Sequence, residues 1–234
     1  SVSTVEHLMA AFYICGIDNI VVNLNGSEVP IMDGSAKEFV KIIKNCGLKS
    51  QQGKRKFVKI KNKIELRETD KSITIVPSKS FEVKFILDYK RSSLIKTQTN
   101  VIDFQDKNLE NIYEARTFCL YEDIEEIKSV GLAKGGSLDN AIVVKGNKIL
   151  NEGGLRSKKE FVNHKILDLA GDFMLSGVRV IGRVECIHGG HALTNKFLKK
   201  IFSDKSNYNI IESQDTSSNV RKILPLNKRL AVNA

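Results

Sequence analysis

The sequence predicts an α+β protein, and three observations carry the prediction. Both halves of the chain mix strand-like with helix-like segments. β-rich runs cluster between residues 57 and 104, whereas the longest 3.6-period segment lies far downstream, near residues 158–175. Hydrophobic residues make up 41% and charged residues 27% of 234, ordinary globular usage that supports a buried core and excludes wholesale disorder. That length fits one large domain or two small ones.

The elements follow in order. The opening Ser3-Thr-Val-Glu-His-Leu-Met-Ala-Ala-Phe12 reads as a helix. Ser3 is a good N-cap with Glu6 three residues on, a capping box. Val5, Leu8, Met9 and Phe12 lie on one helical face, and Gly16 is the stop. Asp18 to Leu24, rich in Ile and Val, predicts a short strand, and a second helix starts at Ser35 with Glu38 in the same capping geometry and stops near Gly47. The polar, basic stretch Leu48 to Lys56 contains Gly53 and reads as an interdomain linker, placed at 51–56. Strands are expected over 57–68, 72–76, 81–89 and 99–104, then a helix over about 121–130. Runs 138–144 and 148–151 flank Lys145-Gly146-Asn147 as a hairpin. A long helix covers about 158–175, a strand 178–186, and a last helix about 191–202. Beyond Ser203 the polar chain reads as a loose tail, 204–234. Residues 1–50 and 57–203 thus form two expected units. The chain opens one or two residues before a helix cap with no strand ahead of it, which reads as a shortened form of a longer protein.

Charge and cysteine use exclude several classes. No apolar run of 18 residues exists, so no transmembrane helix is expected. Four scattered cysteines with no CxxC pair argue against a disulfide scaffold or thiolate zinc site, and reduced thiols point to the cytoplasm. The net charge of +10 invites a nucleic-acid reading. Against it, basic residues from Lys59 on alternate with Ile60, Asn62 and Ile64 as on a solvated strand face, tryptophan is absent, and aromatics are 7%. The charge also suits attraction to a phosphorylated substrate or an anionic membrane surface.

Four clusters carry chemistry. His164, Asp168 and Asp172 recur at i, i+4 and i+8, within an arc of about 80° on the long helix. An imidazole and a carboxylate so spaced can bind one metal ion, and the same spacing also arises as a simple pair on a solvated face. Glu6-His7 reads either as the helix cap or as a general base beside a ligand, with His7 opposite the apolar stripe. His188-Gly189-Gly190-His191 sits at a strand-to-helix junction. There the helix dipole disfavours imidazolium unless a carboxylate compensates, and Asp172 is the candidate. Ala115-Arg116-Thr117-Phe118-Cys119 offers a hydroxyl for an oxyanion, while nothing local activates Cys119 as a nucleophile.

Together these segments closely resemble the zinc-dependent UDP-3-O-acyl-N-acetylglucosamine deacetylases of lipid A synthesis. The matching stretches are Ser3-Thr-Val-Glu-His-Leu8, Gly16-Ile-Asp-Asn19, Glu28-Val-Pro-Ile-Met-Asp-Gly-Ser35, Ala115-Arg-Thr-Phe118, Gly135-Gly-Ser137, Asn151-Glu152, Phe161-Val-Asn-His-Lys-Ile-Leu-Asp168, Gly171-Asp172 and Gly190-His-Ala-Leu193. They run in family order over most of residues 2–200. The resemblance implies two similar α+β units, each a sheet layer with helices on one face and the active site between them. It implies His7, His164 and Asp168 as ligands of zinc, or of ferrous iron. Glu6 would be the general base, His191 the acid oriented by Asp172, Thr117 the oxyanion donor, and Phe118 and Lys165 contacts to the sugar. The implied partner is a UDP-linked acylated amino sugar and not nucleic acid. The implied protein is a cytoplasmic monomer with peripheral contact to the inner membrane. Segments 57–76 and 132–151 are the candidates for an apolar groove taking the acyl chain. Relative to the family, strands and a helix ahead of Ser1 are missing. Cys119-Leu120 replaces a Gly-aromatic pair, and Thr194 an asparagine.

Overall fold

The computed structural model describes residues 1–213, apart from 130, 132 and 134. Its α+β content matches the sequence expectation. The main sheet has seven strands: β1 (Arg55–Ile60), β2 (Ile64–Glu68), β3 (Lys71–Val76), β4 (Phe81–Tyr89), β5 (Lys96–Asp103), β9 (Arg179–Ile187) and β10 (Tyr208–Ser213). Period-2 patterning builds it. In β4, Phe81, Val83, Phe85 and Leu87 are buried while Glu82 and Lys84 alternate outward, and Lys84 pairs with its cross-strand neighbour Glu185 at 2.9 Å.

β9 is the shared strand. Its first residues run parallel to β1, and the rest lies between antiparallel β3 and parallel β4. Strands paired on both sides are buried, and Val180, Val184 and Cys186 are. A separate three-stranded sheet joins β6 (Phe118–Leu120), β7 (Ile142–Lys145) and β8 (Lys148–Ile149), with Gly146 at φ +56 in the β7–β8 turn.

Helices α5 (Glu160–Met174) and α6 (His191–Ser203) contact the main sheet and each other, and α1 (Glu6–Ile14) lies against α5. The short α3 (Glu110–Tyr113) also packs on α5, α2 (Lys37–Cys46) packs on α1, and α4 (Ile124–Ser129) follows a single 3-10 turn. α5 is therefore covered on both sides, and fourteen of its fifteen residues are buried. The second of its faces, the one with His164, Asp168 and Asp172, meets α1 rather than solvent.

Several expectations need correction. Residues 18–24 form no strand; no β-strand pairs with them among the described residues, and a lone strand has no ladder to hold it. Ile20 and Val21 are exposed instead. The end of α1 is fixed from elsewhere: Arg179 donates to the carbonyls of Phe12, Tyr13 and Ile17 and pairs with Asp18. Neither capping box forms. α1 starts at Glu6 after Val5, and Ser3 and Thr4 bond instead to Ser27 and Glu28. α2 starts at Lys37, whose N–H donates to Ser35 Oγ, and Glu38 leans towards Lys41.

The apolar stripe of α1 is only part of its buried surface: Phe12 is buried and Val5 and Leu8 pack partly buried against the core. The helix's most buried residues are His7, Ala10, Ala11 and Phe12, because a helix pressed close against another wants small side chains at the seam. The expected tail forms a strand over 208–213 that pairs with β1, and residues 214–234 lie outside the described residues. In 57–76, Ile60, Ile64, Ile73 and Ile75 are core side chains of the main sheet, so these four are not free to line an acyl groove.

Candidate metal centre

One contact brings the site together. Gly171, inside α5, lies so close to α1 that a Cβ placed on it would stand 2.1 Å from the Glu6 carbonyl oxygen. Glycine costs about 1 kcal/mol against alanine in a helix interior, and here it lets two backbones meet. That approach delivers His7 to His164 and Asp168, whose donor atoms all lie within 4.8 Å of one another. Asp168 Oδ1 is 3.6 Å from His7 Nε2 and 3.3 Å from His164 Nε2, and the two imidazole rings meet edge to face, 5.0 Å between centroids. All three residues are buried.

The outer contacts set the chemistry. His164 Nδ1 lies 2.9 Å from the Ala115 carbonyl, so that nitrogen carries the proton and Nε2 presents a lone pair. Burial lowers the pKa of this imidazole to about 4, with Asp168 opposing, so it is neutral at physiological pH. Burial raises the Asp168 carboxyl, yet His164, Lys165 and His7 outweigh it and hold the group well below the usual range. Lys165 donates to Asp168 Oδ2 at 2.7 Å. Burial disfavours its ammonium, but Asp168 and Asp172 prevail and its pKa is raised.

These residues fit a metal ion. Asp168 Oδ1 and His7 Nδ1 are buried and have no hydrogen-bond partner among the described residues. Such orphaned groups cost about 1–3 kcal/mol each, and a cation held between the imidazoles satisfies the Asp168 oxygen. Two imidazoles and a carboxylate are the donor set of catalytic zinc and of non-haem ferrous sites.

Two further groups face the triad's rim. His191, first residue of α6, holds Nδ1 at 2.9 and 3.0 Å from the Asp172 oxygens and Nε2 at 3.8 Å from Glu6 Oε1. The bond to Asp172 raises the His191 pKa to about 9 against the effect of burial. Burial raises that of Asp172, and the ion pair opposes it. Because no capping box forms, the Glu6 side chain is free to face His191.

Of the remaining predicted residues, Phe118 lies next to the centre. The Phe118 ring is 6.4 Å from that of His164 and packs on Tyr89 and Phe161. Thr117 is anchored through its backbone, its N–H donating to Gly34 and its carbonyl accepting from Ile142. A small cleft beside Phe85 is lined by Lys165, Asp168, Asp172, Gly189 and Gly190. Cys119 is no nucleophile: burial and Asp123 raise its thiol.

Sequence reasoning missed the frame around these groups. Arg116 and Glu160 form a buried pair at 2.8 Å. Asp33 accepts from the Ser35 N–H and hydroxyl and pairs with Arg156 at 2.9 Å. Gly34 passes so close to Asn140 that a Cβ would stand 1.9 Å from its carbonyl oxygen. The available signal was Gly171 itself, a helix-interior glycine of the sort that has a packing reason.

An α+β frame with a closed His-His-Asp donor set, an adjacent carboxylate and a His-Asp pair defines a single-metal centre of hydrolytic type. The sequence model of the family UDP-3-O-acyl N-acetylglycosamine deacetylase, LpxC, matches residues 1–203. The chain is 41% identical to the UDP-3-O-acyl-N-acetylglucosamine deacetylase of Actinobacillus succinogenes over 92% of its own length and 71% of the relative's. It is 42% identical to that of Hahella chejuensis, over 92% and 72% respectively, and 43% to that of Geobacter sp., over 91% and 70%. The chain belongs to this metal-dependent deacetylase family. No helix among the described residues is long and apolar enough to cross a membrane.

Proposed function

We propose that this chain removes the N-acetyl group of a UDP-3-O-acyl-N-acetylglucosamine, releasing acetate and the free 2-amine in lipid A synthesis. The observation that carries the reading is the closed donor set of His7, His164 and Asp168 with Glu6 and His191 on its rim, 3.8 Å apart.

His7, His164 and Asp168 hold the ion, zinc in this reading, with ferrous iron suited to the same donors. When bound, the ion supplies Lewis acidity, which lowers the pKa of water towards neutrality and polarises an amide carbonyl. Glu6 takes the proton from the attacking water as the new C–O bond forms. Thr117 donates to the oxygen on which negative charge develops. His191, cationic at neutral pH through Asp172, gives its proton to the nitrogen as the C–N bond breaks. Asp172 keeps that ring turned so that Nε2 faces the Glu6 side.

Lys165 and Phe118 contact the sugar, and the net charge of +10 suits the diphosphate. The acyl chain lies along the small sheet, where Leu138 and Leu150 remain exposed. The enzyme works as a cytoplasmic monomer touching the inner membrane only peripherally. The test is acetate release from the UDP-linked substrate by purified protein, before and after chelation and with zinc or ferrous iron restored. Metal-loaded protein that releases no acetate defeats the reading. Purified protein that takes up no metal stoichiometrically is a non-catalytic relative.

A further inference from the structure

The geometry points to Glu160 as a positioning residue that, through Arg116, holds the Ala115 carbonyl where it fixes the His164 ring for metal. This rests on the metal site proposed above, and it concerns a side chain that is not one of the donors.

Glu160 is fully buried at the start of α5. Its Oε1 accepts from the Arg116 N–H at 3.2 Å and from Arg116 Nε at 2.8 Å. Its Oε2 accepts from a second guanidinium nitrogen of Arg116 at 3.3 Å and from the Arg156 N–H at 2.5 Å. Those four donors use about all the acceptor capacity a carboxylate has. The same guanidinium nitrogen donates to the Gly154 carbonyl at 2.8 Å. The backbone at 115–117 is thereby stapled to α5 and to the 154–156 loop. The stapled segment supplies the Ala115 carbonyl, 2.9 Å from His164 Nδ1. His164 stands one helical turn beyond Glu160 on the same helix, so a single rigid element carries both the staple and the ligand.

Stability alone does not explain the pair. A buried ion pair contributes about as much as well-packed apolar residues of the same volume, or less. Bidentate Arg–carboxylate geometry instead gives directional restraint. The restraint ends on the one carbonyl that selects the His164 tautomer.

The experiment compares wild type, Glu160→Gln and Arg116→Lys. The ¹⁵N shifts of the His164 ring in metal-free protein read the tautomer, competition with a chromogenic chelator reads zinc affinity, and circular dichroism reads the fold. Folded Glu160→Gln is expected to lose the single Nδ1–H tautomer and to bind zinc roughly 10–100-fold more weakly. Arg116→Lys keeps a cation beside Glu160 but loses the fork, and is expected to shift both readouts in the same direction. Should Glu160→Gln fail to fold, Arg116→Lys decides. Folded variants with wild-type tautomer and zinc affinity overturn the inference and reduce the pair to a structural one. Wild-type protein that binds zinc yet releases no acetate bears on the proposed function alone, because the tautomer and the affinity are read without substrate.

Discussion

Replacing Gly171 with alanine sets two known effects against each other. Helix propensity favours alanine by about 1 kcal/mol in a helix interior. Packing opposes it, because the new Cβ would stand 2.1 Å from the Glu6 carbonyl oxygen, and real Cβ contacts essentially never fall under 3.0 Å. The α1–α5 seam must open by about 0.9 Å, the difference between those two distances, and backbone on the α1 side offers no flexible side chain to yield. Overpacking of this kind costs about 1–3 kcal/mol, so packing wins and the net loss is up to about 2 kcal/mol. The larger effect falls on the site. His7 follows Glu6 directly, and ligand distances must hold to about 0.2 Å, so the variant is expected to bind zinc roughly 100-fold or more weakly. Chelator competition measures the affinity, and a thermal melt with and without zinc measures the stability. An alanine variant that melts higher than wild type and keeps its zinc affinity would refute the claim that this contact assembles the centre.

Three other outcomes follow from the same geometry. Glu6→Gln should retain metal and fold while losing roughly 10²–10⁴-fold in turnover, read by acetate release; near-normal turnover would return Glu6 to a helix-end role. Asp168→Ala should abolish stoichiometric metal, checked by elemental analysis, since it removes a donor and the partner of Lys165. The His191 pKa is raised to about 9, so its stabilising contribution is fully present below about 6.5 and is lost as pH rises through about 9. Turnover should show its basic limb in the same range, and Asp172→Asn should move that limb towards lower pH. An unmoved limb would show that Asp172 does not sustain the imidazolium.

The sequence was most legible where periodicity was strong. Strand β4 and helices α5 and α6 fall within a residue or two of their expected bounds, because alternating burial in Phe81–Leu87 and the apolar faces of the helices admit one reading. The pair His164 and Asp168 was legible as one helix face for another reason: the two sit one turn apart, a local relation, while their reading as ligands together with His7 came from the family resemblance. What stayed hidden is non-local. Nothing near Asp18–Leu24 says that its strand lacks a neighbour, and nothing near Glu6 says that its carboxylate faces α6 rather than its own helix end. Glu160, read locally, is only an acid in a first helical turn. Its partner Arg116 is distant in sequence, so the pair is visible only once residues 115–117 and α5 are side by side. The buried seam of α1 misled for a physical reason, since large apolar residues signal burial by area while Ala10 and Ala11 are buried by closeness.

The seam between α1 and α5 also fixes an order of events. One donor comes from residue 7 and the others from residues 164 and 168, so the donors converge only after nearly the whole described chain has been made and folded back on itself. Closing so long a loop spends chain entropy before any contact returns it, so docking of α1 is expected to follow formation of the local contacts. Until then His164, Asp168 and Asp172 lack their cover, and metal has no complete cage to enter. An ion that binds the closed form and not the open one adds RT ln(1 + [ion]/Kd) to its stability. The centre is then the clasp of the fold as well as its reactive point. Withdrawing metal should loosen α1 first, seen as faster amide exchange along Glu6–Ile14 while the strands of the main sheet stay protected.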